Sequence, residues 1–327
     1  MRRAVVTGAS GFVGRHLVRR LCEERWRVRG LTRHPAGPTR WPDDVEIVAA
    51  DVCEPAGLKA ALTSCDTVFH LAARVHESSE GSGAEFQAVN VEGTRNVLSA
   101  ATEAGSERFV FISSVKAMGE GVAERVDESC PESPRTAYGR SKLDAERLVL
   151  EAGRTTGMHV VCLRPPLVYG AGARGNLERM IAAIDRGIFP PLPETGNRRS
   201  FVHVENLVDA AVLAATHPDA NGQCYIVTDA QPYSTRALYE TIVRGLGYRV
   251  PRWSVPLWTL KTLARAGDVV GSLSGRALFF DTSALVKLTA SSWYSSAKIG
   301  RELGYRPRVT LEDAVAELIT SYRAALT

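Results

Sequence analysis

The chain has 327 residues, about two domains' worth at roughly 150 residues each, or one large α/β unit with an extension. Hydrophobic residues make up 45% and charged residues 23%, values of a folded globular protein that exclude disorder, collagen-like repeats and coiled coil as the main architecture. Lys and Arg number 40 against 36 Asp and Glu, a net charge of +4 that is too small and too dispersed for nucleic acid to be the partner.

The six cysteines (Cys22, Cys53, Cys65, Cys130, Cys162 and Cys224) have no metal-ligand spacing. They are expected to be buried thiols of a reducing compartment, with no metal site. Met1-Arg2-Arg3 leads straight into a strand-like segment, and no run approaches the 18 or so apolar residues of a membrane span. The expectation is a cytoplasmic protein with no membrane partner.

Residues 4–7 (AVVT) are apolar and β-branched, which predicts a buried parallel strand. TGASGFVG follows at 7–14, and then Val13, Leu17, Val18 and Leu21 repeat at helical spacing. Strand, glycine-rich turn and helix form the context of a dinucleotide fingerprint. Gly8 allows the tight turn, Gly11 lets the backbone approach a pyrophosphate, and Gly14 lets the helix lie against the sheet. The helix N-terminus offers free N–H groups and positive dipole to phosphates.

A second strand is predicted at 27–32 and ends in Thr32-Arg33-His34, with no carboxylate for the ribose hydroxyls of NAD. Arg33 suits a 2′-phosphate, which favours NADP(H) over NAD. A third strand at 45–50 ends at Asp51, placed to accept a hydrogen bond from adenine. A fourth at 66–71 is followed by Ala72 and Ala73, small enough to let ribose and diphosphate lie close. His70 precedes the strand end and is expected in the core. A long helix is predicted over about 84–104, with Asn90 inside it bonding either to active-site backbone or to solvent.

The fifth strand, 108–114, ends in Ser113-Ser114. A loop with Gly119, Gly121, Pro131 and Pro134 leads to Tyr138-Gly139-Arg140-Ser141-Lys142 and a helix at 141–153. Tyr138 and Lys142 at i and i+4 share a helical face. A tyrosine near pKa 10 is a poor base, and a lysine one turn away favours its phenolate. The tyrosine then removes a hydroxyl proton during oxidation or donates one to a ketone. Ser114, at a strand end, is the partner for the substrate oxygen, while Ser113 points to the opposite side.

These pieces together resemble the extended short-chain dehydrogenase/reductase family, which contains the epimerases and dehydratases of nucleotide sugars. The resemblance runs from about residue 4 to 230 through TGASGFVG (7–14), DTVFHLAA (66–73), NVEGTRNVL (90–98), FVFISSV (109–115), YGRSK (138–142), LRPPLVYGAG (163–172) and RRSFVHVENLVDA (198–210). It implies Ser114, Tyr138 and Lys142 as the catalytic trio, with Lys142 also bonding the nicotinamide ribose. It implies a cofactor site of Gly8, Ser10, Gly11, Phe12, Val13, Arg33, Asp51, Val52, Leu71, Ala72, Ala73, Tyr138, Lys142 and Pro165, for NADP with NAD as second choice. Asn176 and Arg199 correspond to the residues that contact a nucleotide sugar's diphosphate. The arginine often found before the final WYSSAK-like segment is missing from 280–290, where Arg276 is the substitute on offer. Met118 stands where epimerases often carry tyrosine. The stretch SSVKAMGE is similar to 4-keto-sugar reductases and also to flavonol- and sterol-type ketone reductases.

A strand is expected at 159–163, helices at 174–187 and 205–216, and helical structure from about 229 onward. The organisation expected is an α/β, Rossmann-type doubly wound parallel sheet with a smaller, mostly helical C-terminal substrate domain. Residues 1–169 plus about 200–228 form the dinucleotide domain, and about 170–199 plus 229–327 the substrate domain. Trp253, Trp258 and the helical pattern of 257–270 are expected as a core or lid face. The amphipathic helix 311–325 packs the C-terminus down, and the faces of 84–104 and 141–153 suit a homodimer. The activity implied is hydride transfer at a secondary alcohol or ketone, at C4 of a nucleotide sugar (4-epimerase or 4-ketoreductase). The alternative is an NADPH-dependent reductase of a non-sugar ketone.

Overall fold

The computed structural model describes residues 2–37, 40–75, 83–119, 124–173, 175–274, 280–324 and 326. Gly121, Arg276 and the expected helix start at 174 lie outside them. The strands, in chain order, are β1 (Arg3–Thr7), β2 (Arg27–Thr32), β3 (Val45–Ala49), β4 (Thr67–His70), β5 (Arg108–Ile112), β6 (His159–Arg164), β7 (Leu167–Tyr169), β8 (Phe201–His203) and β9 (Gln223–Ile226). Seven of them form one sheet in the order β3-β2-β1-β4-β5-β6-β9, while β7 and β8 pair separately. Every neighbouring pair in the sheet is parallel.

The order reverses between β1 and β4, whose register sets Thr7 beside His70. A doubly wound sheet opens a crevice at the carboxyl ends of its strands at such a switch point. The expected Rossmann-type sheet is therefore present. Strand alternation supplies both of its faces. Ala4, Val6, Phe69, Val110, Ile112, Val161 and Leu163 pack into one buried cluster, and Val5, Val68, Phe109, Phe111, Val160 and Cys162 into the other.

The helices are α1 (Phe12–Glu23), α2 (Leu58–Leu62), α3 (Gly83–Phe86), α4 (Gly93–Glu103), α5 (Ala137–Thr156), α6 (Asn176–Asp185), α7 (Val204–Thr216), α8 (Thr235–Gly245), α9 (Leu257–Ser274), α10 (Thr282–Thr289), α11 (Ala297–Leu303) and α12 (Leu311–Ala324). Helices α1 and α7 cover the first sheet face, joined by Ile299 and Leu303 of α11; α2, α4 and α5 cover the second. A third cluster joins Tyr169, Met180, Ile181, Phe201, Leu238, Ile242, Leu318 and Tyr322 from α6, α8, α12 and the β7–β8 pair. Helix α12 packs down as its pattern predicts.

The sequence reading shortens α5. Its N-cap is Thr136, whose Oγ1 accepts from the Gly139 amide at 3.1 Å, so Tyr138 lies in the first turn and not ahead of the helix. Gly139 lowers helix propensity in the sequence, but its place is steric. A Cβ there would stand 2.5 Å from the Lys116 carbonyl oxygen. The expected 84–104 helix is broken between α3 and α4 by a π-helical turn, Gln87–Glu92.

The expectation for Trp253 and Trp258 fails as a core assignment, since their side chains are 63% and 70% exposed. Helix α9 turns Leu260 and Ala264 inward against Leu192 and Leu285, and carries its tryptophan on the opposite side. The six cysteines are free, but only Cys65 and Cys162 are buried and Cys53 is exposed.

Candidate active site

The turn after β1 is built by close backbone approach. Gly8 has φ +67°, and a Cβ on it would meet the Ala72 amide nitrogen at 2.8 Å. A Cβ on Gly14 would lie 2.2 Å from the Gly8 carbonyl oxygen, so only glycine lets α1 start here. Gly11 faces open space apart from the Gly8 carbonyl at 3.1 Å. Ser10, Phe12 and Val13 line the same corner at the start of α1. The residues present thus leave the uncovered backbone and helix N-terminus that a dinucleotide diphosphate needs.

Thr7 fixes the neighbouring strand end, a role the sequence reading did not assign. Its Oγ1 accepts from the amides of Leu71 and Ala72, both at 3.1 Å, so its single proton goes to His70 Nδ1 at 2.7 Å. His70 Nε2 then carries the hydrogen and donates to Thr94 Oγ1 at 2.9 Å, which donates to the Asn90 carbonyl at 2.6 Å. Burial, followed by the Lys142 charge, pushes His70 down to about 3. His70 is a neutral core strut, as expected, and the Thr7 hydroxyl it orients holds the Leu71 and Ala72 amides beside Gly8.

At the next strand ends, Ser10 Oγ and Thr32 Oγ1 are 3.0 Å apart. Asp51 accepts from the Cys53 amide at 2.9 Å, closing a tight turn after β3. Arg33 is exposed and forms no ion pair among the described residues. Its charge reaches the Cys53 thiol, which burial and then Asp51 push up and Arg33 pulls down. Val52 turns its side chain inward, where it would meet a Cβ on Gly93 at 2.9 Å.

Tyr138, Lys142 and Ser114 come together at the ends of β5 and α5. Ser114 Oγ accepts from the Lys116 amide at 3.2 Å and lies beside the Tyr138 phenol, whose pKa it acts to lower. Phe86 of α3 packs over the Tyr138 ring at 5.8 Å. Lys142 is 2% exposed, donates from Nζ to the Ile112 carbonyl at 2.8 Å and lies 4.5 Å from the Phe111 ring centre. Burial pushes Tyr138 up to about 12, with the Ser114 hydrogen bond acting against it. Burial also pulls Lys142 down to about 8, against the field of Glu146.

The Lys142 ammonium is directed at the Ile112 carbonyl, and burial is the largest influence on the phenol. Ser113 Oγ is buried without a partner among the described residues. Pro165 is buried at the end of β6, and its carbonyl accepts from the Val115 amide at 3.1 Å.

Two supports were not legible or only half legible. Asn90, fully buried in the π-helical turn, accepts from the Arg74 amide at 2.8 Å. It donates to the Arg74 carbonyl at 3.1 Å and to Ser141 Oγ at 2.9 Å, and Ser141 donates to the Tyr138 carbonyl at 2.8 Å. Of its two readings, bonding to site backbone is the one the structure supports. Arg164, at the end of β6, is gripped by both oxygens of Glu146 and also reaches Glu132 and Met118 Sδ. Met118 is thereby turned into the core.

The two diphosphate candidates differ. Arg199 lies between Tyr233 and Ser292 by backbone pairing, and its guanidinium donates to the Lys287 carbonyl and sits 6.0 Å from the Phe201 ring. Burial pulls its pKa down, and no carboxylate pairs with it among the described residues. Asn176 opens α6 with an exposed side chain and forms no hydrogen bond among the described residues.

A switch-point crevice with a glycine cradle and a Ser–Tyr–Lys cluster at adjoining strand ends defines a short-chain dehydrogenase-type nucleotide enzyme. The family model described as "NAD dependent epimerase/dehydratase family" matches residues 4–227, and the chain belongs to that family, the extended branch of the short-chain dehydrogenases.

Among curated relatives, a UDP-glucose 4-epimerase of Vibrio cholerae is 29% identical, covering 98% of this chain and 95% of its own. A 3 beta-hydroxysteroid dehydrogenase/Delta 5-->4-isomerase of Mycobacterium tuberculosis is 31% identical, covering 98% and 90%. Among solved structures, MoeE5 in complex with UDP-glucose and NAD is 27% identical with a TM-score of 0.77, covering 99% of this chain and 100% of its own. The Thermotoga maritima UDP-glucose 4-epimerase with UDP-glucose has a TM-score of 0.79 at 21% identity, over 99% and 100%, a likeness of fold.

Proposed function

We propose that the protein transfers hydride at a secondary alcohol or ketone of a nucleotide-linked sugar, at C4, as a 4-epimerase or 4-ketoreductase. The observation that carries the substrate class is Arg199, a partly buried guanidinium with no carboxylate counterion among the described residues. A buried cation without an anion is costly, and a diphosphate answers it with paired charge-assisted bonds. The epimerase relative and the UDP-glucose complex of MoeE5 support the same class.

Gly8, Ser10, Gly11, Phe12 and Val13 would hold the cofactor's diphosphate, Leu71, Ala72 and Ala73 its ribose side, Asp51 and Val52 its adenine, and Pro165 its nicotinamide. Arg33 favours NADP(H), with NAD as the alternative that the MoeE5 complex contains. The bound nicotinamide supplies or accepts the hydride. Tyr138 holds the proton that a substrate oxygen receives, and Ser114 polarises that oxygen by hydrogen bonding. Lys142 keeps a positive charge beside the site while anchored on the Ile112 carbonyl. Asn176 is the second substrate contact in this reading. A cytoplasmic homodimer through α4 and α5 belongs to it as well.

A second reading, reduction of a non-sugar ketone with NADPH, is favoured by the steroid dehydrogenase relative. The discriminating experiment incubates the protein with UDP-glucose and, separately, with a 3β-hydroxysteroid, each with NAD and NADP. Conversion of the UDP-sugar, lost in Arg199→Met with nucleotide binding intact, is the expected result. Turnover of the steroid alone, unchanged in Arg199→Met, would overturn the sugar assignment.

A further inference from the structure

Six of the ten large apolar side chains that stand exposed among the described residues come from one stretch: Trp253, Trp258, Leu263, Val269, Val270 and Val286. Helix α9 buries Leu260 and Ala264. At 100° per residue, the face opposite them carries Trp258, Thr262, Ala266 and Val269 at i, i+4, i+8 and i+11. A surface helix ordinarily turns its polar side to water, so this helix is apolar on both faces.

Basic side chains outnumber acidic ones around the patch among the described residues. Arg249, Arg252, Lys261, Arg265 and Lys287 are exposed, and Lys261 and Arg265 border the Trp258–Val269 face. The two acidic side chains described between 249 and 290 are engaged with α10. Asp268 accepts from the Thr282 amide and hydroxyl, and Asp281 caps the helix at the Ala284 amide.

We infer that this face of α9 rests on an anionic lipid surface, with Trp258 and Val269 at the acyl boundary and Lys261 and Arg265 on the headgroups. Tryptophan and aliphatic side chains beside lysine and arginine are the composition of an interfacial helix. The described helices contain no candidate membrane span, and the inference concerns a surface contact alone. The contact would lie near the substrate segment, since Arg199 and Asn197 bond the carbonyls of Lys287 and Leu288 at the end of α10.

The test is co-sedimentation of the intact protein with vesicles of phosphatidylcholine alone or mixed with phosphatidylglycerol. Binding to the mixed vesicles and not to phosphatidylcholine is expected, weakened by salt, with a blue-shifted tryptophan emission. Lys261→Glu/Arg265→Glu should lower the partition coefficient by about tenfold or more. Trp258→Ser/Val269→Ser should abolish binding while turnover of a soluble substrate stays unchanged, which also shows that the variant folds. No binding to phosphatidylglycerol vesicles would overturn the inference. So would a protein dimer that the Trp258→Ser/Val269→Ser variant dissociates, because the face would then be a self-interface.

Discussion

Glu146 stands one helical turn beyond Lys142 and holds Arg164 with both carboxylate oxygens, at 2.9 and 3.2 Å from Nε, and 2.6 Å from Nη2. Both side chains are almost wholly buried, 2% and 3% exposed. The pair ties α5, which carries Tyr138 and Lys142, to the strand end that carries Pro165. Arg164 has a second, more exposed carboxylate partner in Glu132, so removing Glu146 leaves the buried guanidinium only partly compensated. Glu146→Gln should therefore lower stability by about 1–3 kcal/mol in urea unfolding. Replacing both partners with methionine should cost clearly less. Equal losses in the single and double variants would show that the pair is not the source.

The pH dependence of ketone reduction follows from two groups displaced in opposite directions. Tyr138, pushed up to about 12, keeps its proton throughout the neutral range. Lys142, pulled down to about 8, is charged below that pH and neutral above it. Reduction should therefore hold level through neutrality and fall above about pH 8. Lys142→Arg, always charged, should move that limb to higher pH in whatever activity remains. A limb that stays in place would assign it to another group. The same shift has a stability consequence: a lysine whose folded pKa lies below its unfolded value of about 10.4 makes the folded state gain stability as pH rises between the two.

Gly14→Ala tests the cradle. The new Cβ would press on the carbonyl oxygens of Gly8 at 2.2 Å and Ala9 at 2.7 Å, both backbone atoms that cannot step aside. Helix α1 must move off the sheet, at about 1–3 kcal/mol. Dinucleotide affinity measured by calorimetry should fall at least tenfold, while Gly175→Ala, where nothing lies within 4 Å, serves as the control.

Arg33→Ala should weaken NADPH far more than NADH, because the lost contact is to the 2′-phosphate. Equal weakening of both would refute that role.

What was legible in the sequence was local. The glycine turn, the strand ends at Thr32, Asp51, Ala72 and Ser114, and the Tyr138–Lys142 spacing each follow from a few consecutive residues, and the sheet order follows from the βαβ rhythm. What was not legible joins residues far apart in the chain. Thr7 meets His70 and Thr94, Asn90 meets Ser141, and Glu146 meets Arg164 only after the strands align. For Lys142 and Tyr138, spacing gives charge and distance, whereas burial, which dominates both groups, is a property of the whole fold. Trp258 shows the converse: of the core and lid faces expected for it, the fold rules out the core and leaves the side chain in the open.

The central claim is that Tyr138 delivers or removes the proton that accompanies hydride transfer. The direct measurement is single-turnover chemistry of Tyr138→Phe beside a fluorescence titration of its nucleotide site. The account predicts a loss of about 10²–10⁴-fold in the chemical step, with nucleotide affinity within a few-fold of the parent protein. A variant that turns over at a substantial fraction of the parent rate would contradict it.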